Sequence, residues 1–242
     1  MFISSTFYKY FKFGNCDDKR GSIKQLMLDH EVKGKIIISS EGINGAVCVA
    51  KPAYDLFMSK LGELIPEVKG INSRRTFSDK QCFKRTLVKI RNELVPLGVP
   101  GIVPNTAGGG KPLDPAELFE WYKQKKNFLI VDARNEYEWK EGSFLGAENP
   151  QIEKFRDFNQ VAKNLEEKNM DKKKPIVTFC TGGIRCEKAS AYLKKQGFYN
   201  VYKLEGGIIE FMRLQGSEDY WKGNLFVFDK REKINSCNLE RD

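Results

Sequence analysis

A single histidine, His30, occurs among 242 residues, and it lies between Asp29 and Glu31 in a predicted helix. That scarcity excludes much chemistry. A Ser-His-Asp or Cys-His pair would have to use His30, a two-histidine iron site cannot be built, and histidine-rich zinc sites are impossible. Long apolar runs are also missing: no stretch approaches the ~20 residues of a membrane-spanning helix. Met1–Lys9 lacks the basic start, apolar run and small-residue cleavage site of a signal peptide, so a cytoplasmic protein with no membrane association is expected. The six cysteines include no C-x-x-C pair and are spread along the chain. This distribution suits reduced thiols better than a disulfide framework or a zinc site. Cys16, Cys48, Cys82 and Cys237 are expected to do nothing chemical, and no metal is expected.

What is present is enough for one large domain or two ordinary ones, since 40% of the residues are hydrophobic. The formal net charge of +9 is unevenly placed. Residues 1–100 hold 17 Lys+Arg against 10 Asp+Glu, and the remainder 24 against 22. Between Lys69 and Arg91 stand eight basic residues and one acid, Asp79, with Phe77 and Phe83 interleaved. Lys69, Arg74, Arg75, Lys84, Arg85, Lys89 and Arg91 are therefore candidates for a cationic nucleic-acid surface with aromatic platforms. The competing reading is a solvated edge strand with core phenylalanines.

Residues 1–95 read as a small α+β unit. Thr6–Phe13 is β-rich, Ser22–Val32 helical, and Gly34–Ile38 and Ala46–Val49 form a hairpin whose turn is placed at Glu41–Gly45 by the Asn44-Gly45 pair. Pro52–Leu64 is helical again, and a last strand falls within Thr86–Arg91. The order β-α-β-β-α-β is that of a ferredoxin-like sandwich. Residues 96–115, punctuated by Pro and Gly, read as a linker, with Gly108-Gly109-Gly110 supplying flexibility rather than a phosphate loop. Residues 116–222 alternate helices and strands, which predicts a parallel sheet wrapped by helices. Residues 223–242 are left as a C-terminal tail.

Cys180 ends the apolar run Ile176-Val177-Thr178-Phe179 and opens the loop Thr181-Gly182-Gly183-Ile184-Arg185, which runs into a helix from about Cys186 to Lys195. Inward-turned N–H groups, the positive helix end and the Arg185 charge would together depress the thiol's pKa and stabilise an anion on its sulfur. The bland alternative is a half-buried cysteine closing a core strand. In parallel sheets ligands bind beyond the carboxyl ends of the strands, where Asp132 and Arg134 also fall. These two are either supporting site residues or a helix cap and a surface ion pair. Cys186 is either a resolving thiol for an oxidised Cys180 or a small apolar residue at a helix start.

The second half resembles a rhodanese domain, on the strength of Val131-Asp132-Ala133-Arg134, Gly142–Ala147, the Cys180 loop and Val201–Ile208. With Glu41–Gly45, the string Phe179–Ala189, Asp132–Glu138 and Phe226–Asp229, the resemblance narrows to the rhodanese-containing tRNA uridine hydroxylases (TrhO family) and covers nearly the whole chain. It implies a ferredoxin-like α+β sandwich followed by a rhodanese-type parallel-sheet α/β domain. It also implies oxygen-dependent 5-hydroxylation of the tRNA wobble uridine, with tRNA as partner and molecular oxygen as co-substrate. Cys180 would be the active cysteine, carrying a persulfide, and Thr181, Gly182, Gly183, Ile184 and Arg185 would cradle its sulfur. The compact loop from Cys180 to Arg185 is the size this resemblance associates with sulfur rather than phosphate, so phosphatase activity is not expected. Relatives often continue into a cysteine-rich tail, whereas here Cys237 stands alone, and no zinc is expected. Asn224-Leu225 stands where relatives often have a cysteine. No dinucleotide fingerprint is present, so no cofactor is evident and the electron donor is unassigned. A sulfurtransferase using Cys180, or an RNA-binding module that keeps the fold without using the cysteine, are the competing readings.

Overall fold

Strands of the first half alternate between a buried and an outer face, and this pattern builds a sheet with helices on one side. The computed structural model describes residues 1–102, 104 and 108–239. The elements in order are β1 (Phe2–Tyr10), α1 (Cys16–Asp29), β2 (Lys33–Ser39), β3 (Gly42–Ala50), α2 (Lys51–Leu64), β4 (Ser73–Ser78) and β5 (Thr86–Ile90). They form a five-stranded sheet in the order β4-β1-β3-β2-β5. Ile3 and Phe7 of β1, Ile36 and Ile38 of β2, Val47 of β3 and Val88 of β5 pack with Ile23, Met27, Tyr54, Phe57 and Leu61 of the helices into one core. Because successive strand residues point to opposite faces, Lys33, Lys35, Ile37, Leu87 and Lys89 face away from the helices.

Two expectations change here. The strand that completes the β-α-β-β-α-β motif is β4, antiparallel to β1, whereas β5 is an added strand lying parallel to β2 on the opposite edge. The Asn44-Gly45 pair is not the hairpin turn. It lies within β3, paired with Ile37 and Ile36, and the chain reverses at Ser40-Glu41 instead. Gly45 is required for a different reason: any Cβ there would run into the Phe7 ring.

The second unit spans Val95–Val227 with Lys233–Ser236, while Phe228–Glu232 and Cys237–Leu239 group with Met1–Leu94. Its elements are β6 (Lys111–Leu113), α3 (Pro115–Lys123), β7 (Leu129–Asp132), α4 (Glu136–Glu141), β8 (Gly142–Phe144), β9 (Ala147–Glu148), α5 (Phe158–Glu167), β10 (Ile176–Phe179), α6 (Ile184–Lys195), β11 (Val201–Leu204), α7 (Gly207–Phe211), β12 (Trp221–Gly223), β13 (Leu225–Phe226) and β14 (Lys233–Ile234). The sheet β6-β11-β10-β7-β9 is parallel throughout. Every residue of β7 and β10 is buried, as a strand covered on both faces requires.

The segment read as a linker is more ordered than its glycines and prolines suggest. Leu97 and Ile102 are buried, Lys111–Leu113 is a sheet strand, and the Gly110 amide donates to the Ser190 hydroxyl at 2.9 Å. A Cβ at Gly110 would meet Ser190 at 2.7 Å, so this glycine permits close approach rather than flexibility. Residues 103 and 105–107 of that segment, and 240–242 of the expected tail, lie outside the described residues. The tail itself is structured: β12 pairs with β8 and β13 with β14, and Asp229 accepts a hydrogen bond from Ser4. Among the described residues no helix is long and apolar enough to cross a membrane.

Candidate functional site

The middle strand of the parallel sheet, β10, delivers Cys180 to the carboxyl edge of that sheet. Its neighbour β7 brings Asp132 alongside, in register with Phe179. The helix after the loop starts at Ile184, two residues earlier than expected. Gly183 makes that entry possible with φ of 96°, and its N–H donates to the Cys180 sulfur at 3.1 Å. A second helix start pins the loop from below. The Ile208 and Ile209 amides of α7 donate to the Cys180 and Thr181 carbonyls at 3.0 and 3.2 Å. Gly207, at φ of 67°, faces those carbonyls so closely that any Cβ would collide with them.

Cys180 is 1% exposed, while Thr181, Gly182 and Ile184 form a half-buried rim above it. Burial pushes the Cys180 thiol up. The hydrogen bond from Cys186, the Arg185 charge and the backbone N–H groups of Arg185 and Cys186 outweigh burial and bring it down to about 5. Cys186 responds oppositely: burial and its bond to Cys180 hold its thiol protonated. Cys186 thus lies close enough to Cys180 to shift its ionisation. In this arrangement Cys186 is the hydrogen-bond donor and Cys180 the accepting anion.

Arg185 does not present an uncommitted charge. Its Nη1 and Nη2 donate to the Glu138 carboxylate at 2.6 and 2.8 Å, and Nη2 reaches the Thr181 hydroxyl at 3.4 Å. Glu138 is fully buried and also accepts the Asn135 N–H that starts α4. Burial pushes its carboxyl up, but the Arg185 guanidinium holds it below the ordinary range. The sequence alone assigns Glu138 no role. The available signal was its place three residues into a helix beginning at Asn135, which here serves both the cap and the arginine.

Asp132 and Arg134 lie at the expected edge, but they are not a surface pair. Both are 0% exposed. The Arg134 Nη2 bonds Asp132 at 2.6 Å and the Gly142 carbonyl at 2.7 Å, and Nη1 donates to the Glu138 carbonyl at 3.3 Å. This pair ties β7 to α4 and β8, and so holds the element that presents Glu138.

The seven basic candidates of the first unit do not form one stripe. Arg74 and Arg75 lie on β4, and Lys89 is on β5 with Arg91 just beyond it, at opposite edges of a five-stranded sheet, about 19 Å apart by strand spacing. Arg74 is buried against the Tyr8 ring, 5.3 Å from its centroid, and donates to the Asn72 carbonyl. Lys69 and Arg75 line a cavity beside α2, and Lys84 and Arg85 are exposed in the β4–β5 loop. The structure instead joins Lys89 and Arg91 to Lys35, whose ammonium is pushed down by burial and then by those two charges. The sequence reading missed Lys35 and its strand neighbour Lys33. The signal was their alternation with the buried Gly34 and Ile36.

Residues 2–94 match the UPF0176 acylphosphatase-like domain, and residues 114–214 match the rhodanese-like domain. The chain is also similar to the solution structure of a rhodanese-like domain from Anabaena, with 20% identity over 46% of this chain and 78% of that one, at a TM-score of 0.40. A rhodanese-related protein of Thermoplasma volcanium is 25% identical over 42% of this chain and 90% of its own, with a TM-score of 0.32. A rhodanese-like domain protein of Staphylococcus aureus has the same identity and coverage, with a TM-score of 0.35. A UPF0176 N-terminal domain followed by a rhodanese-like domain is the architecture of the TrhO/UPF0176 rhodanese family, and it is the architecture of this chain.

Proposed function

We propose that this protein is a tRNA-modifying enzyme that hydroxylates the wobble uridine at ring carbon five, using the first unit to hold RNA and Cys180 to serve the chemistry. The observation that carries the RNA reading is the cluster of Lys33, Lys35, Lys89 and Arg91 on the outer face of β2 and β5. The Lys35 ammonium is pushed down first by burial and then by the Lys89 and Arg91 charges, and a polyanion laid across the cluster would relieve that repulsion. The hydroxylation itself rests on the resemblance of the loop and domain strings to the tRNA uridine hydroxylases.

The reaction replaces the C5–H of uridine with C5–OH. One oxygen atom of O2 enters the ring, the other leaves as water, and two electrons with two protons come from a thiol-class reductant that becomes a disulfide. Cys180 contributes a sulfur anion, ionised at neutral pH. A persulfide formed on it would place its outer sulfur among the N–H groups of the Thr181–Arg185 loop, and Cys186 would donate a hydrogen bond to the inner sulfur. Glu138 keeps Arg185 oriented, so the guanidinium stays beside the sulfur through the cycle.

Mass spectrometry of tRNA nucleosides tests this. Deleting the gene should remove 5-hydroxyuridine derivatives, and wild type but not Cys180→Ser should restore them. Unchanged levels in the deletion sink the hydroxylase reading. A sulfurtransferase is favoured by the same low-pKa thiolate under a loop of N–H groups. Under that reading, thiosulfate would transfer sulfur to cyanide through Cys180 while the tRNA nucleosides stay unchanged.

A further inference from the structure

The first unit contains a second pair of sulfurs, remote in sequence from Cys180. On β3, Val47 and Val49 enter the core, so Cys48 points to the opposite face. The β4–β5 loop closes over it there, and the Cys82 amide donates to the Cys48 sulfur at 3.3 Å. Cys82 is 2% exposed, yet it lies on the wall of a cavity of about 620 Å³ shared with Ser78, Lys80, Arg231 and Cys237. Lys230 anchors the loop from the other side, its amide donating to the Cys82 carbonyl at 2.9 Å. Arg231 is held by Asp229 at 2.6 and 2.9 Å and by Thr76 at 3.0 Å.

We propose that Cys82 is a second modifiable thiol, oxidised by small peroxides that enter this cavity, and that Cys48 resolves the product as a Cys48–Cys82 disulfide. The electrostatics divide the two roles. The Cys48 thiol, donating to Cys82, brings Cys82 down to about 7 against burial, with help from the Ser78 hydroxyl and the Arg231 charge. The same bond, together with burial, pushes Cys48 up. A thiol about half ionised at neutral pH, beside a cavity and a protonated partner, is the arrangement of one that reacts first and is resolved second. In the first step the Cys82 sulfur attacks a peroxide oxygen, the O–O bond breaks, and a sulfenic acid forms as the leaving hydroxide takes a proton to become water. In the second, the Cys48 sulfur attacks the sulfenic sulfur, the S–O bond breaks, and the departing hydroxide takes the Cys48 proton. The balance is two thiols and one hydrogen peroxide to one disulfide and two waters.

The test uses full-length protein treated with hydrogen peroxide, blocked with N-ethylmaleimide, digested with trypsin and mapped by mass spectrometry. A peptide pair linked through Cys48 and Cys82, cleaved by dithiothreitol, is expected in the wild type and equally in Cys180→Ser. In Cys48→Ala, dimedone should label Cys82 instead. Recovery of both residues as maleimide adducts, at peroxide doses that fully oxidise Cys180, overturns the proposal, and this wild-type result decides it even where Cys48→Ala fails to fold.

Discussion

Arg185 is clamped by Glu138 through two hydrogen bonds of 2.6 and 2.8 Å, and both side chains are almost fully withdrawn from water. The pair links α4, which follows β7, to the first turn of α6, which follows β10, and so fixes the charge that faces Cys180. Glu138→Gln removes the carboxylate charge that Arg185 is bonded to in the interior, and breaking such a buried pair costs about 3–5 kcal/mol. Urea unfolding should show that loss, and a variant as stable as wild type would mean the guanidinium finds water instead.

The Cys180 thiol, brought down to about 5, sets a pH signature. Iodoacetamide should alkylate this residue at a rate that rises through pH 5 and is flat by neutrality, read as its peptide adduct. The folded pKa lies below the unfolded one of about 8.5, so the unfolded chain binds more protons between these values and stability rises with pH there. That contribution is complete above the unfolded pKa and is lost as the pH falls through about 5. The stability of wild type relative to Cys180→Ser should therefore grow from pH 5 to 9, and parallel profiles would remove the ionised thiol from the native state.

Cys186 is a positioning residue, acting through its bond to Cys180. Cys186→Ala should move the alkylation midpoint of Cys180 upward by about one unit, the scale of one hydrogen bond to an anion. Cys186→Ser keeps a donor and should restore most of the shift. A midpoint equal in all three proteins would leave Cys186 as filler.

Gly207 meets the Cys180 and Thr181 carbonyls at a φ of 67°. Gly207→Ala should lose about 1–2 kcal/mol for the left-handed backbone alone, with the collision adding to it. Thermal denaturation reads the first effect. A drop in Cys180 alkylation rate reads the displaced loop.

Charge reversal at Lys35 and Lys89 should weaken tRNA binding and lower the salt slope by about one for each phosphate no longer neutralised. Reversal at exposed Lys84 and Arg85 tests the loop at the end of the same sheet edge. Filter binding at several salt concentrations measures both. A stronger effect from Lys84 and Arg85 than from Lys35 and Lys89 would move the RNA path off the sheet face.

The sequence by itself determined where the candidate thiol stands, at the end of an apolar strand, and the two-part architecture. A β-rich apolar run, glycines and an arginine ahead of a helix are neighbours along the chain, and their geometry is dictated by local backbone rules. Cys180, Gly183 and the β-strand before them were legible for that reason, as was the alternation of strand and helix that makes a parallel sheet. Tertiary structure alone decided which charges keep company. Strand order separates Arg74 from Lys89 and joins Lys89 to Lys35, because pairing depends on residues far apart in sequence. It also turned Asp132 and Arg134 inward onto each other, set Glu138 against Arg185 across 47 positions, and folded a loop over β3 so that Cys82 meets Cys48. A buried charge or thiol takes its chemistry from the partner it is packed against, and packing is the information a linear reading of residues does not carry.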